Sequence, residues 1–205
     1  MSSQVVLVPG LWMPSAAMSL LATRLRRHGY STRRFAYRGR AALEPNAERL
    51  ARLARDRLSS APAHFVGHSL GGLVILEMLR RHREIAAASV VLIGSPVRGC
   101  YAGRRLGLAG IGRWMMGGCA TLWEERDAVW TRAEPLGVVA GTRALGLGRA
   151  LGPLPGASDG VVRVAETGVE GMRAQALVGA GHTALILSRR VAELVARFLA
   201  EGRFA

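Results

Sequence analysis

The chain has 205 residues, half of them hydrophobic and only 5% aromatic, and its formal net charge at pH 7 is +14. A folded chain of this length removes roughly 70% of its unfolded surface from water, so the composition excludes a largely disordered chain and predicts one domain over residues 1–205. No stretch reaches the roughly 18 uncharged apolar residues that a transmembrane helix needs, and we therefore expect a soluble protein.

Short apolar runs alternate with amphipathic segments along the chain, and this alternation is typical of a parallel sheet covered by helices. The run at residues 89–93 is almost entirely apolar, as expected of a central strand in a parallel sheet. In chain order, the predicted elements are a strand at 5–8, a helix at 14–28, a strand at 33–37, a helix at 44–58, a strand at 64–67, a helix at 70–82, strands at 89–93, 136–140 and 174–178, and a helix at 183–200.

Residues 96–130 interrupt this alternation with a glycine- and arginine-rich segment between the fourth and fifth strands. Connections of this length in a compact domain are usually functional or partly helical. The segment carries too many large apolar side chains for a solvated loop. We predict that they either pack into the core or cover an apolar pocket as a lid; they are Trp114, Met115, Met116, Leu122 and Trp123.

The segment Gly67-His68-Ser69-Leu70-Gly71 has the pattern G-x-S-x-G and lies between a predicted strand and a predicted helix. A sharp turn in this context lifts the serine hydroxyl above the edge of the sheet. The glycines permit the strained backbone and its close approach to neighbouring segments. The alternative is a glycine-rich turn with an incidental serine. The position between strand and helix favours Ser69 as a nucleophile.

With this motif the chain resembles the α/β-hydrolase superfamily, in particular the small bacterial esterases and lipases with a Gly-His-Ser-Leu-Gly-Gly turn. The resemblance extends from the first strand to the last helix. It implies a minimal α/β-hydrolase fold, with a six-stranded, mostly parallel sheet, helices on both faces and residues 96–130 as a lid-like insertion. It also implies the chain order nucleophile, acid, histidine.

Serine is a weak nucleophile at neutral pH and needs an adjacent base, for which the chain offers five histidines. His182 follows the sixth strand, so it is expected at the same edge of the sheet as Ser69. His28 and His82 lie at helix ends among arginines, which is typical of surface residues. We therefore predict His182 as the general base.

A serine nucleophile and its histidine base form a catalytic triad with an acid, which orients the imidazole and stabilises its cation. Asp159 lies between the fifth and sixth strands, at a position that resembles the acid loop of the family. Glu166 and Glu170 are alternatives in the same connection, and Asp159 could instead belong to an ordinary Asp-Gly turn. We predict Asp159 as the acid.

An oxyanion hole needs two N–H donors directed at the developing negative charge. The resemblance implies the backbone N–H of Leu70, directly after the nucleophile, and that of Leu11, in the loop after the first strand. Relatives often have His-Gly in that loop, whereas this chain has Pro9-Gly10. The residues predicted to line the substrate pocket, although Trp12 and Met13 could also be core, are Trp12, Met13, His68, Trp114 and Trp123.

Together these residues predict a serine hydrolase that cleaves carboxylic esters through an acyl-enzyme, with no metal ion and no cofactor. Thioester hydrolysis or acyl transfer would use the same residues. The alternative class is a non-catalytic, arginine-rich module that binds anionic surfaces, because all 28 positively charged residues are arginines. The arginines of the helix at 44–58 stand at helical spacing without interleaved aromatics, which favours a solvated surface over a nucleic-acid site.

The expected partner is a small-molecule or lipid ester, with no specific nucleic acid; peripheral contact with anionic lipid stays open. Two cysteines, Cys100 and Cys119, are too few for a disulfide framework. The first residues lack the charged region and cleavage site of a signal peptide, so the predicted location is cytoplasmic.

Overall fold

A parallel sheet of six strands runs through the computed structural model, which describes residues 3–58, 61–108, 110–145 and 153–205. All neighbouring strands within these ranges pair in parallel. The strands are Gln4–Val8 (β1), Ser31–Arg34 (β2), Ala63–His68 (β3), Ala87–Ile93 (β4), Leu136–Gly141 (β5) and Ala174–Val178 (β6). Their order across the sheet is β2-β1-β3-β4-β5-β6.

Helices connect the strands and cover both faces of the sheet. None of the helices in the described ranges is long and apolar enough to cross a membrane. Two segments, Ser15–Met18 and Gly117–Trp123, are 3₁₀ helices. The α-helices are Ser19–Arg27 (α1), Leu43–Arg57 (α2), Leu70–Arg81 (α3), Tyr101–Leu108 (α4), Gly110–Met116 (α5), Val164–Thr167 (α6), His182–Leu187 (α7) and Arg189–Glu201 (α8).

The sheet separates two apolar cores, and β1 shows how the sequence builds both. Val5 and Leu7 pack with α1, α7 and α8, whereas Val6 and Val8 pack with α2, α3 and the β4–β5 connection. Successive strand residues point to opposite faces, so a strand covered on both sides must be apolar throughout. This is why the central strands could be recognised from the sequence as continuous apolar runs.

Several element boundaries differ from the predictions, and the second strand and the last helix show the reasons. The second strand lies at Ser31–Arg34 rather than 33–37, because its pairing with β1 begins at Gln4 opposite Ser31 and its exposed arginines gave no apolar signal. The predicted helix at 183–200 is divided at Ser188, whose extended backbone (ψ 130°) ends α7. The Ser188 hydroxyl then accepts a hydrogen bond from Val191 N, which caps the N-terminus of α8.

The β4–β5 connection is mostly helical, and its large apolar residues have two different environments. Trp123 and Met116 are buried in the core beside α2 and α3, with Trp123 Nε1 donating to Met116 Sδ at 2.9 Å. Trp114 and Ile111 are exposed on α5. Trp123, predicted to line the substrate pocket, is thus a core residue whose indole packs against α4 at Gly103.

Candidate active site

Ser69 lies in a strained turn between β3 and α3. Its φ of 52° and ψ of −124° are outside the regions that side chains other than glycine favour. A Cβ at Gly71 would lie 2.2 Å from the carbonyl oxygen of Val8, and one at Gly67 would lie 2.5 Å from Gly72 N. The two glycines of the motif are therefore required by close backbone contacts, and the turn that they allow presents Ser69 at the carboxyl edge of the sheet.

His182 and Asp159 are brought together by the connections that follow β6 and β5. His182 Nδ1 lies 2.7 Å from Asp159 Oδ2. Because a carboxylate accepts hydrogen bonds, Nδ1 carries the proton in this pair and Nε2 is left as the acceptor that a general base needs. The other carboxylate oxygen, Oδ1, accepts from the N–H groups of Val161 at 2.9 Å and Val162 at 2.7 Å. The carboxylate is 1% exposed and is thus held in one orientation.

The two alternative acids, Glu166 and Glu170, do not contact His182. Glu166 is buried, and its carboxylate accepts hydrogen bonds from Tyr101 N and from the backbone N–H and side chain of Arg163. Glu170 is exposed before β6. Among these three carboxylates, only that of Asp159 is in a position to orient the imidazole.

The predicted oxyanion donors lie on the two segments that flank Ser69. Leu70 is the first residue of α3, where an N–H group has no acceptor within its own helix. Neither this N–H nor that of Leu11 donates a hydrogen bond inside the described ranges. The Leu11 loop is packed against Ser69, since a Cβ at Gly10 would lie 3.0 Å from the Cβ of Ser69.

Tyr37 contacts this loop and was not singled out by the sequence. Its hydroxyl donates to the carbonyl oxygen of Pro9 at 2.8 Å. Burial raises the pKa of Tyr37, so the hydroxyl stays protonated and remains a donor. The pairing joins residues 28 positions apart, so no local pattern could have indicated it.

The positions of Ser69 and His182 agree with a common site, although the two side chains are not hydrogen-bonded to each other in the described structure. Both follow the carboxyl ends of parallel strands, and the ring of His68, next to Ser69, lies 4.7 Å from the ring of His182. Nucleophile–base hydrogen bonds are often long before substrate binds and shorten in the Michaelis complex. Outside glycine, the described residues with positive φ are Trp12 and Ser69, so backbone strain is concentrated here.

A model of the alpha/beta hydrolase family matches residues 5–202, which is nearly the whole chain. The chain belongs to the alpha/beta hydrolase family. This confirms the predicted superfamily and fold class, with every described strand of the sheet parallel. No curated protein matches this alpha/beta hydrolase in sequence.

Solved structures resemble this alpha/beta hydrolase in fold. The lipase BlEst2 of Bacillus licheniformis in its propeptide form has a TM-score of 0.80 at 16% identity, over 95% of this chain and 50% of the lipase, so the chain spans half the length of that protein. A metagenomic carboxyl esterase has a TM-score of 0.74 at 19% identity, over 98% and 76% of the two chains. The type II thioesterase BorB from the borrelidin cluster has a TM-score of 0.67 at 16% identity, over 98% and 92%.

The side chains predicted to line the substrate pocket of the hydrolase differ in their exposure to solvent. Trp12 is exposed and donates from Nε1 to the carbonyl oxygen of Met115 at 3.0 Å, which joins the turn after β1 to α5. Met13 is half-buried beside Gly10. His68 is 0% exposed in this structure and lies beneath the surface, next to Ser69.

Acid is expected to destabilise the hydrolase through His68. Burial, together with the neighbouring His182, lowers the pKa of His68 to about 3. The unfolded chain has a histidine pKa of about 6.5, so between these values only the unfolded state binds the proton and stability falls as the pH falls. We expect His68 to contribute a loss of about 1.4 kcal/mol per pH unit within that window.

Urea denaturation of the wild type and of His68→Gln, at about pH 7 and about pH 5, measures this contribution. The variant should lose less unfolding free energy between the two pH values than the wild type. His28→Gln, at an exposed helix end, is the control and should behave as the wild type. Equal losses in the wild type and His68→Gln would show that His68 does not cause the acid sensitivity.

Proposed function

We propose that this alpha/beta hydrolase cleaves carboxylic esters by a serine mechanism. The observation that carries the proposal is the 2.7 Å contact between His182 Nδ1 and the buried Asp159 carboxylate, at the same sheet edge as the strained Ser69 turn. The resemblance in fold to a lipase and a carboxyl esterase supports the substrate class. The serine, the histidine and the aspartate act as nucleophile, general base and orienting acid.

The proposed reaction proceeds in two halves. Ser69 Oγ attacks the ester carbonyl while His182 Nε2 takes its proton, and the N–H groups of Leu11 and Leu70 stabilise the resulting oxyanion. Asp159 stabilises the imidazolium through Nδ1. The tetrahedral intermediate expels the alcohol, which receives the proton from His182. Water then attacks the acyl-enzyme with the same histidine as base, and the carboxylic acid is released.

A fluorophosphonate probe tests whether Ser69 is an activated nucleophile. We expect the wild type to be labelled on the peptide that contains Ser69 and the Ser69→Ala variant to remain unlabelled. Ser95→Ala is the matched control, because Ser95 is a buried serine that follows the neighbouring strand β4. Absence of labelling in the wild type would instead support a non-catalytic module.

Thioester hydrolysis and acyl transfer remain alternatives on the same residues, and a type II thioesterase is among the proteins of similar fold. The discriminating measurement compares kcat/KM for an oxygen ester and a thioester of the same acyl chain, each with and without an alcohol acceptor. Faster turnover of the oxygen ester, with free acid as the product, supports the proposed activity. Faster turnover of the thioester, or acylated alcohol as the product, would replace it.

Trp114 is proposed to contact the acyl chain of the substrate, as part of a lid formed by the β4–β5 connection. Its side chain is exposed next to Met115, whose carbonyl accepts a hydrogen bond from Trp12, the residue after Leu11. Trp114→Ala should lower kcat/KM for octanoate esters more than for acetate esters. Each methylene that loses an apolar contact forfeits up to about 0.8 kcal/mol, or about fourfold in kcat/KM.

Trp123→Ala provides the contrast for this lid prediction. Because the Trp123 side chain is buried, the substitution should lower the melting temperature and affect both esters alike. p-Nitrophenyl esters of increasing acyl length measure both variants. Equal losses for acetate and octanoate in Trp114→Ala would show that Trp114 does not contact the acyl chain.

A further inference from the structure

Five large apolar side chains are exposed on the consecutive helices α4 and α5 and on the turn after β1. Leu108, Ile111 and Trp114 are 87%, 72% and 67% exposed. Ile111, Trp114 and Met115 share one face of α5 because they stand three and four residues apart. Trp12 is joined to them through its hydrogen bond to Met115. Single exposed apolar residues are normal, but a group of this kind marks an interaction surface. We call these five residues the apolar patch.

The apolar patch lies within the most positive parts of the chain. Residues 1–43 contain seven arginines and residues 96–123 contain four, and neither stretch contains an acidic residue. The guanidinium of Arg40 lies 4.5 Å from the centre of the Trp114 ring and donates to the Trp114 carbonyl at 2.7 Å. Arg105 and Arg113 are exposed and form no salt bridge with any described residue. Apolar side chains are thus bordered by guanidinium groups that no described carboxylate neutralises, Arg105 donating instead to the Tyr101 hydroxyl.

We propose that the apolar patch inserts into the surface of an anionic lipid bilayer. Aliphatic and indole side chains suit the boundary between headgroups and acyl chains, and arginines suit the phosphates above it. A second copy of this chain would bring two positive surfaces together, which disfavours a dimer. A nucleic acid would leave Leu108 and Ile111 without a matching partner.

This proposal adds a binding partner, the anionic bilayer, to the proposed function. It rests on that function, because docking supplies substrate only if the protein cleaves esters. Trp12 follows Leu11, whose N–H is a proposed oxyanion donor, so the apolar patch borders the site of Ser69. A hydrolase docked through this surface would present its site to the bilayer and take ester substrates from it.

Co-sedimentation with vesicles tests the proposal on the full chain. Vesicles of equimolar phosphatidylglycerol and phosphatidylcholine should sediment the wild type, with release at high salt, whereas pure phosphatidylcholine vesicles should not. The double variant Leu108→Asp/Ile111→Asp should lose about tenfold or more in affinity for the anionic vesicles. Both side chains are exposed, so the substitutions leave no cavity in the core.

Val129→Asp and Arg83→Gln are the matched controls. Val129 is 55% exposed and Arg83 is exposed, and both lie towards the opposite, amino-terminal edge of the sheet, where Arg83 contacts Thr131. Both should bind anionic vesicles as the wild type does, whereas Arg105→Gln/Arg113→Gln should bind more weakly. Tryptophan fluorescence should shift to the blue on binding, and this shift should diminish in Trp114→Phe.

Three results would overturn the proposal. The first is that the wild type does not sediment with anionic vesicles. The second is that Val129→Asp loses as much affinity as the double aspartate variant. The third is that the wild type forms dimers in solution and that only Leu108→Asp/Ile111→Asp is monomeric. Hydrolysis of p-nitrophenyl acetate, a small soluble ester, separates this failure from failure of the proposed function. The double aspartate variant should hydrolyse it at the wild-type rate.

A second inference concerns His68, whose imidazole is buried between the nucleophile turn and the base. His68 Nε2 lies 3.1 Å from the carbonyl oxygen of His182, and since a carbonyl only accepts, Nε2 is the donor. Nδ1 is then a buried acceptor without a partner among the described residues. The backbone N–H of His182 in turn donates to the carbonyl oxygen of Asp159 at 2.9 Å.

We infer that His68 is a positioning residue for His182. The hydrogen bonds of Asp159 and His68 hold the backbone of His182 at its N–H and its carbonyl, so loss of the His68 bond would let the imidazole shift relative to Ser69. This inference rests on the proposed function, since it assigns a role relative to the general base. Displacement of a catalytic group by about 1 Å can cost about 100-fold in rate.

The test compares His68→Leu with His68→Gln. We expect His68→Leu to lower kcat by about 100-fold with little change in KM. His68→Gln retains an amide N–H at similar reach and should have a kcat close to that of the wild type. His64→Leu is the control, because His64 is also a buried residue of β3 but contacts Ser89 instead. It should lower stability and leave kcat unchanged at temperatures where all variants are folded.

The inference fails if His68→Leu has the kcat of the wild type. It also fails if His68→Gln is as slow as His68→Leu while circular dichroism shows that both variants are folded. Fluorophosphonate labelling of the wild type at Ser69 separates this failure from failure of the proposed function.

Discussion

Ser69→Ala and His182→Ala are each expected to lower kcat by about 10⁶-fold. Alanine at position 69 removes the oxygen that forms the acyl-enzyme, and alanine at position 182 leaves that oxygen without an acceptor for its proton. Because both residues act in the same step, the double variant should be about as slow as either single variant. Residual turnover would come from oxyanion stabilisation and binding alone.

Steady-state hydrolysis of p-nitrophenyl butyrate measures these losses, with circular dichroism to show that the variants are folded. Serine and alanine both carry a Cβ, so a φ of 52° is unfavourable in either, and the melting temperature of Ser69→Ala should stay close to that of the wild type. His28→Ala, at an exposed helix end, should keep full activity. A folded His182→Ala variant with near wild-type kcat would disprove the assignment of the base.

Asp159→Asn is expected to lower kcat by about 10⁴-fold while the fold is retained. The amide oxygen of asparagine can still accept from Val161 and Val162, as Oδ1 of Asp159 does. The amide nitrogen would then face His182 Nδ1 and donate to it, which places the imidazole proton on Nε2. The histidine would have the wrong tautomer to accept the proton of Ser69.

Glu166→Gln is the matched control for this aspartate. The Glu166 carboxylate accepts from Tyr101 and Arg163 and does not contact His182, so its replacement should lower the melting temperature and leave kcat nearly unchanged. Rates and melting temperatures of both variants decide the assignment. A larger loss of kcat in Glu166→Gln than in Asp159→Asn would identify the glutamate as the acid.

The sequence by itself determined the fold class and the local frame of the site. Strands that are buried on both faces must be apolar throughout, and residues 89–93 show this without any knowledge of their neighbours. The Ser69 turn is local at Gly67, whose excluded Cβ would meet Gly72, whereas the close contact at Gly71 is with Val8 of the adjacent strand β1. The position of His182 followed from parallel strands having their carboxyl ends at one edge.

The boundaries and contacts that depend on distant residues were decided only by the tertiary structure. Asp159, Glu166 and Glu170 occupy one connection with the same chemistry, and packing alone brings Asp159 to His182. Trp114 and Trp123 are likewise equivalent as sequence, yet one is exposed and the other is buried. Short-range sequence patterns reflect the conformation and burial of a residue within its own turn or strand. The contacts that it makes with distant residues depend on how all the elements pack together.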